Sequence, residues 1–166
     1  MADDVELAAD QICLMRDDLD FAHAIMRHAV RLNLAAFSFA GLRVPLILQG
    51  SDIGKDLPAP SDYSVELLNF EEQLNDRIVS LADNKRMLAE LWGFNERSRP
   101  LRASELSTPK SARRVVAETA ELVNALFVKD SVLVLEILES SLRRRLALLA
   151  GETGKVLPFP EARRNK

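Results

Sequence analysis

Through the first forty residues, Val5, Ala8, Ile12, Met15, Leu19, Ala22, Met26, Ala29, Asn33 and Ala36 follow one another at alternating spacings of three and four. At about 100° per residue this keeps a single, almost wholly apolar seam on one side of a helix. The pattern predicts one helix of about 35 residues ending near Ala40, because the seam runs in phase through Asp17 and Asp18, which could otherwise cap a second helix. Alanine at alternate seam positions lets a neighbouring helix come close. Leu7, Leu14, Phe21, Ile25, Leu32 and Phe37 widen the apolar face beyond a two-stranded seam, which suits packing in a bundle.

Gly41, Pro45, Gly50, Gly54, Pro58 and Pro60 then predict an irregular connection, in which Val44, Leu46, Ile47 and Leu48 are expected to tuck against the bundle end. Ser61 or Asp62 offers a cap for a second long helix. There Leu67, Phe70, Leu74, Ile78, Leu81, Leu88 and Trp92 continue the spacing as far as Gly93, with Lys85 as the polar intrusion. Residues 94–108, built around Pro100, read as a connection. Thr108 and Pro109 form a helix start, a capping hydroxyl followed by proline at the first helical position. Val116, Ala120, Val123 and Phe127 run in phase with Val134, Leu138, Leu142 and Leu149, so one helix could reach Gly151 unless Asp130 and Ser131 break it.

The most apolar stretch is 131–150, where Val132, Leu133, Val134, Leu135, Ile137 and Leu138 point in nearly every direction around a helix. Such a segment needs cover on more than one side. A strand is the alternative reading, since this run is rich in β-branched residues, but only 44–48 could pair with it. Two neighbouring helices would leave part of the girth bare, which predicts a two-fold homodimer contact through Leu135, Leu142, Leu146 and Leu149.

The chain has 166 residues, 48% apolar but only 5% aromatic, and is rich in helix formers. The expected fold class is therefore all-α: one domain over 1–151, a bundle of three or four long antiparallel helices with coiled-coil-like seams, followed by a flexible basic tail at 152–166. The single cysteine, Cys13, excludes an internal disulfide framework or a cysteine-clustered zinc site. The acidic start and the absence of a long unbroken apolar run argue against a secretory signal and a membrane span, so a cytoplasmic protein is expected.

Charge is unevenly divided. Residues 1–95 hold 8 basic and 16 acidic side chains, for −8, whereas 96–166 hold 14 and 9, for +5. The two halves should attract, either within one bundle or across a dimer. Arg97, Arg99, Arg102, Arg143 and Arg144 are the candidate contacts for an anionic partner.

Little in the chain points to catalysis. His23 and His28 lie five apart, a poor metal pair on a helix, no Glu-x-x-His or G-x-S-x-G occurs, and QGSDIGK lacks the Gly-Lys-Ser/Thr of a phosphate loop. The expectation is no catalytic residue, no cofactor and no metal. One alternative is histidine phosphotransfer at His28, with Arg31 following it, although Leu32 stands where such a module needs a small residue. Another is nucleic-acid binding through Lys110, Arg113, Arg114 and the later basic clusters, disfavoured by the acidic total and the scarcity of aromatics. The reading is a non-enzymatic protein–protein interaction module, an adaptor, chaperone or regulatory protein, acting as a homodimer on another protein.

Overall fold

The computed structural model describes residues 2–50 and 57–151, with side chains from residue 9 onward except that of Pro60. The expected tail at 152–166 lies outside the described residues, as does 51–56 of the first connection. The fold is all-α: five α-helices and two short 3-10 segments, with no strand among the described residues.

Helix α1 (Ala2–Asn33) passes unbroken through Asp17 and Asp18, as the in-phase seam requires. Met15, Leu19, Ala22, Met26 and Ala29 are buried along it, and the alanines let neighbouring helices approach. It ends sooner than Ala40, giving way to a 3-10 turn, Leu34–Ala36. Phe37 then drops into the core, its ring edge-on to Phe39 at 4.9 Å. In the following connection Leu48 is buried and Val44 and Ile47 pack against the core, whereas Leu46 faces solvent.

Helix α2 (Pro60–Ser80) starts at proline rather than at a capping hydroxyl: Ala59 is the N-cap and makes no side-chain bond. Ser61 instead donates to Asp62 Oδ1 at 3.0 Å. Proline at the first helical position has its φ already set and no N–H to satisfy, which makes a capping side chain dispensable.

The second long helix expected from the spacing is two helices. Asp83 takes the left-handed conformation with φ 47°, and the Asn84 side chain accepts the backbone N–H groups of Arg86 and Met87 at 3.0 and 3.1 Å. These bonds start helix α3 (Lys85–Glu105), which lies back against α2. Asp and Asn tolerate left-handed backbone and compete for backbone donors, so DN ends one helix and caps the next.

Residues 94–105 are therefore helix, not connection. Helix α3 continues through Gly93 and through Pro100, which lacks the N–H that would bond the Glu96 carbonyl. Tertiary burial outweighs that loss. Leu101, Arg102, Glu105 and Leu106 are all buried around the proline, and a surface helix would have stopped there.

Helix α4 (Pro109–Val128) begins as expected, with Thr108 Oγ1 accepting the Ser111 N–H at 3.3 Å. The break at 129–130 is real. Lys129 is left-handed at φ 60°, the Asp130 N–H bonds back to the Ala125 carbonyl at 3.0 Å, and Asp130 Oδ1 accepts the Leu133 N–H at 3.0 Å. The Lys129 ammonium also donates to the Phe37 carbonyl, tying this turn to the end of α1.

Helix α5 (Ser131–Gly151) is the apolar stretch, and α1 and α4 cover it from two sides. Val134, Ile137, Leu138 and Leu149 are buried between them. Helix α1 also packs on α2 and α3. Removing the Asn84 cap leaves two donors without a partner, so Asn84→Ala is expected to lose about 1 kcal/mol in urea unfolding while Asn84→Ser loses only a few tenths. An unchanged midpoint for Asn84→Ala would show that the cap does not hold the α2–α3 turn.

Candidate functional site: a buried arginine–glutamate network

On α3 the residues Ser98, Arg102 and Glu105 are spaced by four and three, so they share one face, and all three are buried. Arg102 has no exposed side-chain surface at all. A guanidinium in that position needs a partner for each of its nitrogens, and each has one. Its Nη2 donates to Glu72 Oε1 at 2.6 Å and to the Asn95 carbonyl at 2.7 Å, its Nε to Ser98 Oγ at 3.2 Å, and its Nη1 to Glu71 Oε2 at 3.5 Å.

Glu71 passes the network to the next helix, because its other oxygen accepts from Arg145 of α5. Arg145 Nε in turn donates to Glu105 Oε2 at 3.1 Å, and the second oxygen of Glu105 accepts from Arg144. Arg144 closes the series on α4, where Glu118 Oε2 accepts from its Nε at 2.9 Å. Arg99 adds an outer member, bonding Glu72 Oε1 at 2.6 Å and Asn69 Oδ1 at 2.7 Å. The result is a continuous chain, Glu72–Arg102–Glu71–Arg145–Glu105–Arg144–Glu118, across α2, α3, α5 and α4.

With Arg99 counted, four arginines meet four glutamates. Burial by itself would raise the Glu71 carboxyl, but the guanidinium groups of Arg145 and Arg102 overcome that and hold it at about 2. For Arg145, burial works against the charged form while Glu71 and Glu105 more than compensate and raise it further. No buried side-chain nitrogen or oxygen among the described residues lacks a hydrogen-bond partner.

Beside the network lies a cavity of about 40 Å³ to which all five helices contribute, its lining both polar, with Glu71, Asn75, Glu118 and Arg145, and apolar, with Leu19, Leu74, Phe94 and Leu138. By volume it holds about three water molecules and nothing larger. His23 is at its rim, donating from Nε2 to Glu139 Oε2 at 3.1 Å. Burial lowers the imidazole below its ordinary value, against the pull of Glu139.

The five arginines expected to face an anionic partner are all held by carboxylates of the same chain. Arg102 and Arg144 belong to the buried network, and Arg99 is bound to Glu72. Arg97 grips Asp18 of α1 through two bonds of 2.6 and 2.7 Å, and Arg143 pairs with Glu139 one turn away. Of the expected interface residues, Leu149 is 2% exposed in the core of the single chain, so it has no surface to offer a partner. Leu135, Leu142 and Leu146 are half-buried against that core, and Leu142 also lines the cavity. His28 is exposed on α1, and Lys110, Arg113 and Arg114 are exposed at the start of α4.

The network itself is absent from the expectations drawn from sequence, in which Glu71 and Glu72 carry no role and Arg102, Arg143 and Arg144 are candidate contacts for an anionic partner. One signal was present: Arg145 falls in phase with Val134, Leu138 and Leu149, on the stripe that must face the core. No group of His, Cys, Asp and Glu with metal-binding geometry occurs among the described residues. A scan against models of protein families found no match, and searches of curated proteins and of solved structures found none either.

Removing Arg102 leaves Glu71 and Glu72 short of a buried counter-charge, so Arg102→Met is expected to lose about 3–5 kcal/mol in denaturant unfolding. A loss under about 1 kcal/mol would mean that water reaches the network. The pH dependence has a definite sign. Glu71 is ordinarily protonated near 4.5 but only near 2 in the folded chain, so the unfolded chain binds the extra proton in that window. Stability from this pair is complete above about 4.5 and is lost as pH falls towards about 2, and Glu71→Gln should flatten that limb of a thermal-unfolding profile.

Proposed function

We propose that this chain is a non-enzymatic protein–protein interaction module, an adaptor, chaperone or regulatory protein that works through the outer faces of its helices and carries no cofactor. The observation that supports this reading is the contrast between inside and outside. The interior meets every polar demand within the chain, while large apolar side chains stand in solvent. Leu14, Phe21 and Leu32 fall on one stripe of α1, with Leu14 65% and Phe21 54% exposed. Phe127, Val128 and Val132 surround the α4–α5 turn, with Phe127 75% exposed. Grouped apolar side chains of this size mark contact surfaces on soluble domains, whereas scattered single ones do not.

The reading takes the five helices as an antiparallel bundle with coiled-coil-like seams and places the protein in the cytoplasm. The three-and-four spacing of α1 supports the first. No helix among the described residues is long and apolar enough to cross a membrane. Phosphotransfer at His28 competes on one observation, the exposure of His28 and of Arg31 one turn further on, but Leu32 is exposed on the same face, where it would obstruct a partner's approach.

The test is affinity capture from the native host with wild type and two surface variants, Leu14→Glu/Phe21→Glu and Phe127→Glu, each first shown by circular dichroism to keep its helix content. At least one stoichiometric partner should be captured by wild type and lost from one of the variants. Capture indifferent to both variants and to Val132→Glu would defeat the interaction reading. An acid-labile phosphoryl label that disappears in His28→Ala would replace it with phosphotransfer.

A further inference from the structure

Helices α1 and α5 run antiparallel and leave between them an open groove of about 470 Å³. Helix α1 supplies the Arg27 and Arg31 wall, helix α5 supplies Glu136 and Glu139, and the floor is Leu135 and Val132. Val132 is 65% exposed, the first apolar residue of the most apolar helix in the chain. Glu139 is engaged by His23, Arg27 and Arg143. Arg31 and Glu136 differ: both are exposed, and neither makes an ion pair among the described residues.

We infer that this groove is a two-fold contact with a second copy of the chain, in which Arg31 of each copy meets Glu136 of the other over an apolar strip formed by Val132 and Leu135. The inference rests on the interaction reading above and assigns that reading an occupant at this surface.

Charge pattern selects the occupant. With two arginines on one wall and two glutamates on the other, the groove has no net charge, so an acidic or a basic partner would meet as many like charges as unlike ones. A partner must carry the reversed pattern in the same register. A second copy does so by symmetry. A two-fold axis along the groove sets the α1 wall of one copy against the α5 wall of the other, and the two helices remain antiparallel, as they are within each chain. The same operation brings Val132 and Leu135 against their counterparts and removes exposed apolar surface from both copies. The contact uses the exposed rim of α5 rather than its buried stripe, so neither Leu142 nor Leu149 has to leave the core.

Sedimentation velocity from low to high micromolar protein tests the contact. Wild type should approach twice 18.5 kDa. Arg31→Glu and Glu136→Arg alone should each weaken dimerisation about tenfold, and the double variant Arg31→Glu/Glu136→Arg should recover most of it, since the pair is then only reversed. Val132→Glu should be monomeric. All three positions are exposed, so helix content and thermal midpoint should stay near wild type, which separates loss of contact from loss of fold.

A dimer insensitive to all of these variants overturns the assignment, as does a wild type that stays monomeric throughout. In the monomeric case, capture that still depends on Leu14 and Phe21 keeps the interaction reading alive, and capture indifferent to every surface variant ends it too. A monomeric wild type whose partner capture is lost in Val132→Glu gives the groove to a different protein, which also overturns the second copy.

Discussion

The desolvation of Arg102 is the constraint on which the rest of the arrangement depends. A guanidinium without exposed surface is tolerated only where acceptors reach each of its nitrogens, and those acceptors, two carboxylates, a carbonyl and a hydroxyl, come from α2 and from α3 itself. Each carboxylate so used is shared with another arginine: Glu72 with Arg99, Glu71 with Arg145. Sliding one helix by a turn would therefore strand a buried charge, not only mismatch a few methyl groups. Apolar packing along the rest of the core accepts small shifts at modest loss, whereas the network accepts none without several kcal/mol of penalty. Arg102 thus explains why α3 persists through Pro100. The face carrying Ser98, Arg102 and Glu105 has to remain helical on both sides of the proline for the three side chains to point the same way.

Meeting polar demand inside has a consequence outside. Arg97, Arg99, Arg102, Arg143, Arg144 and Arg145 are all bound to carboxylates, and most of these pairs join the basic second half of the chain to the acidic first half. The expected attraction between the halves is thus realised within one chain, as Asp18–Arg97, Glu72–Arg99 and Glu71–Arg145. Once those charges are matched, the field available to a distant polyanion is small. What the surface has in surplus is apolar side chains.

The single α1 and the Thr108–Pro109 start were legible because each rests on local chemistry, a seam in phase and a capping hydroxyl followed by proline; the break before Ser131 stood only as an alternative, since the apolar stripe runs in phase across it and only the residue pair competing for backbone donors pointed to it. The same method joined α2 to α3, since Leu81 and Leu88 are in phase and a seam count is blind to a four-residue reversal inside it. Asp83 and Asn84 carried that information locally. It went unread because they sat among residues that otherwise fit. Pro100 misled in the opposite direction, because its local penalty is outweighed by burial against other helices, α2 foremost, which no window of sequence around it contains. The network was hidden for the same reason. Arginine and glutamate are normally solvated, and only the meeting of three helices makes Glu71 the acceptor for both Arg102 and Arg145.

The basic surplus that remains bears on nucleic acid. Among the described residues it is concentrated in Lys110, Arg113 and Arg114 at the beginning of α4, exposed and outside every ion pair. Positive side chains there oppose the helix dipole, which is itself positive at that end, so they contribute nothing to the stability of α4. Neutralising phosphates demands a stripe of such groups in register with a backbone, and three side chains on adjoining turns of one helix make a short one. Neither Arg144 nor Arg145 can extend it, because moving either guanidinium outward would leave Glu105 or Glu71 short of one of its two counter-charges. A polyanion would thus have to compete with the network for the arginines it needs, whereas a protein partner can use Leu14, Phe21, Phe127 and Val132 without disturbing one buried pair.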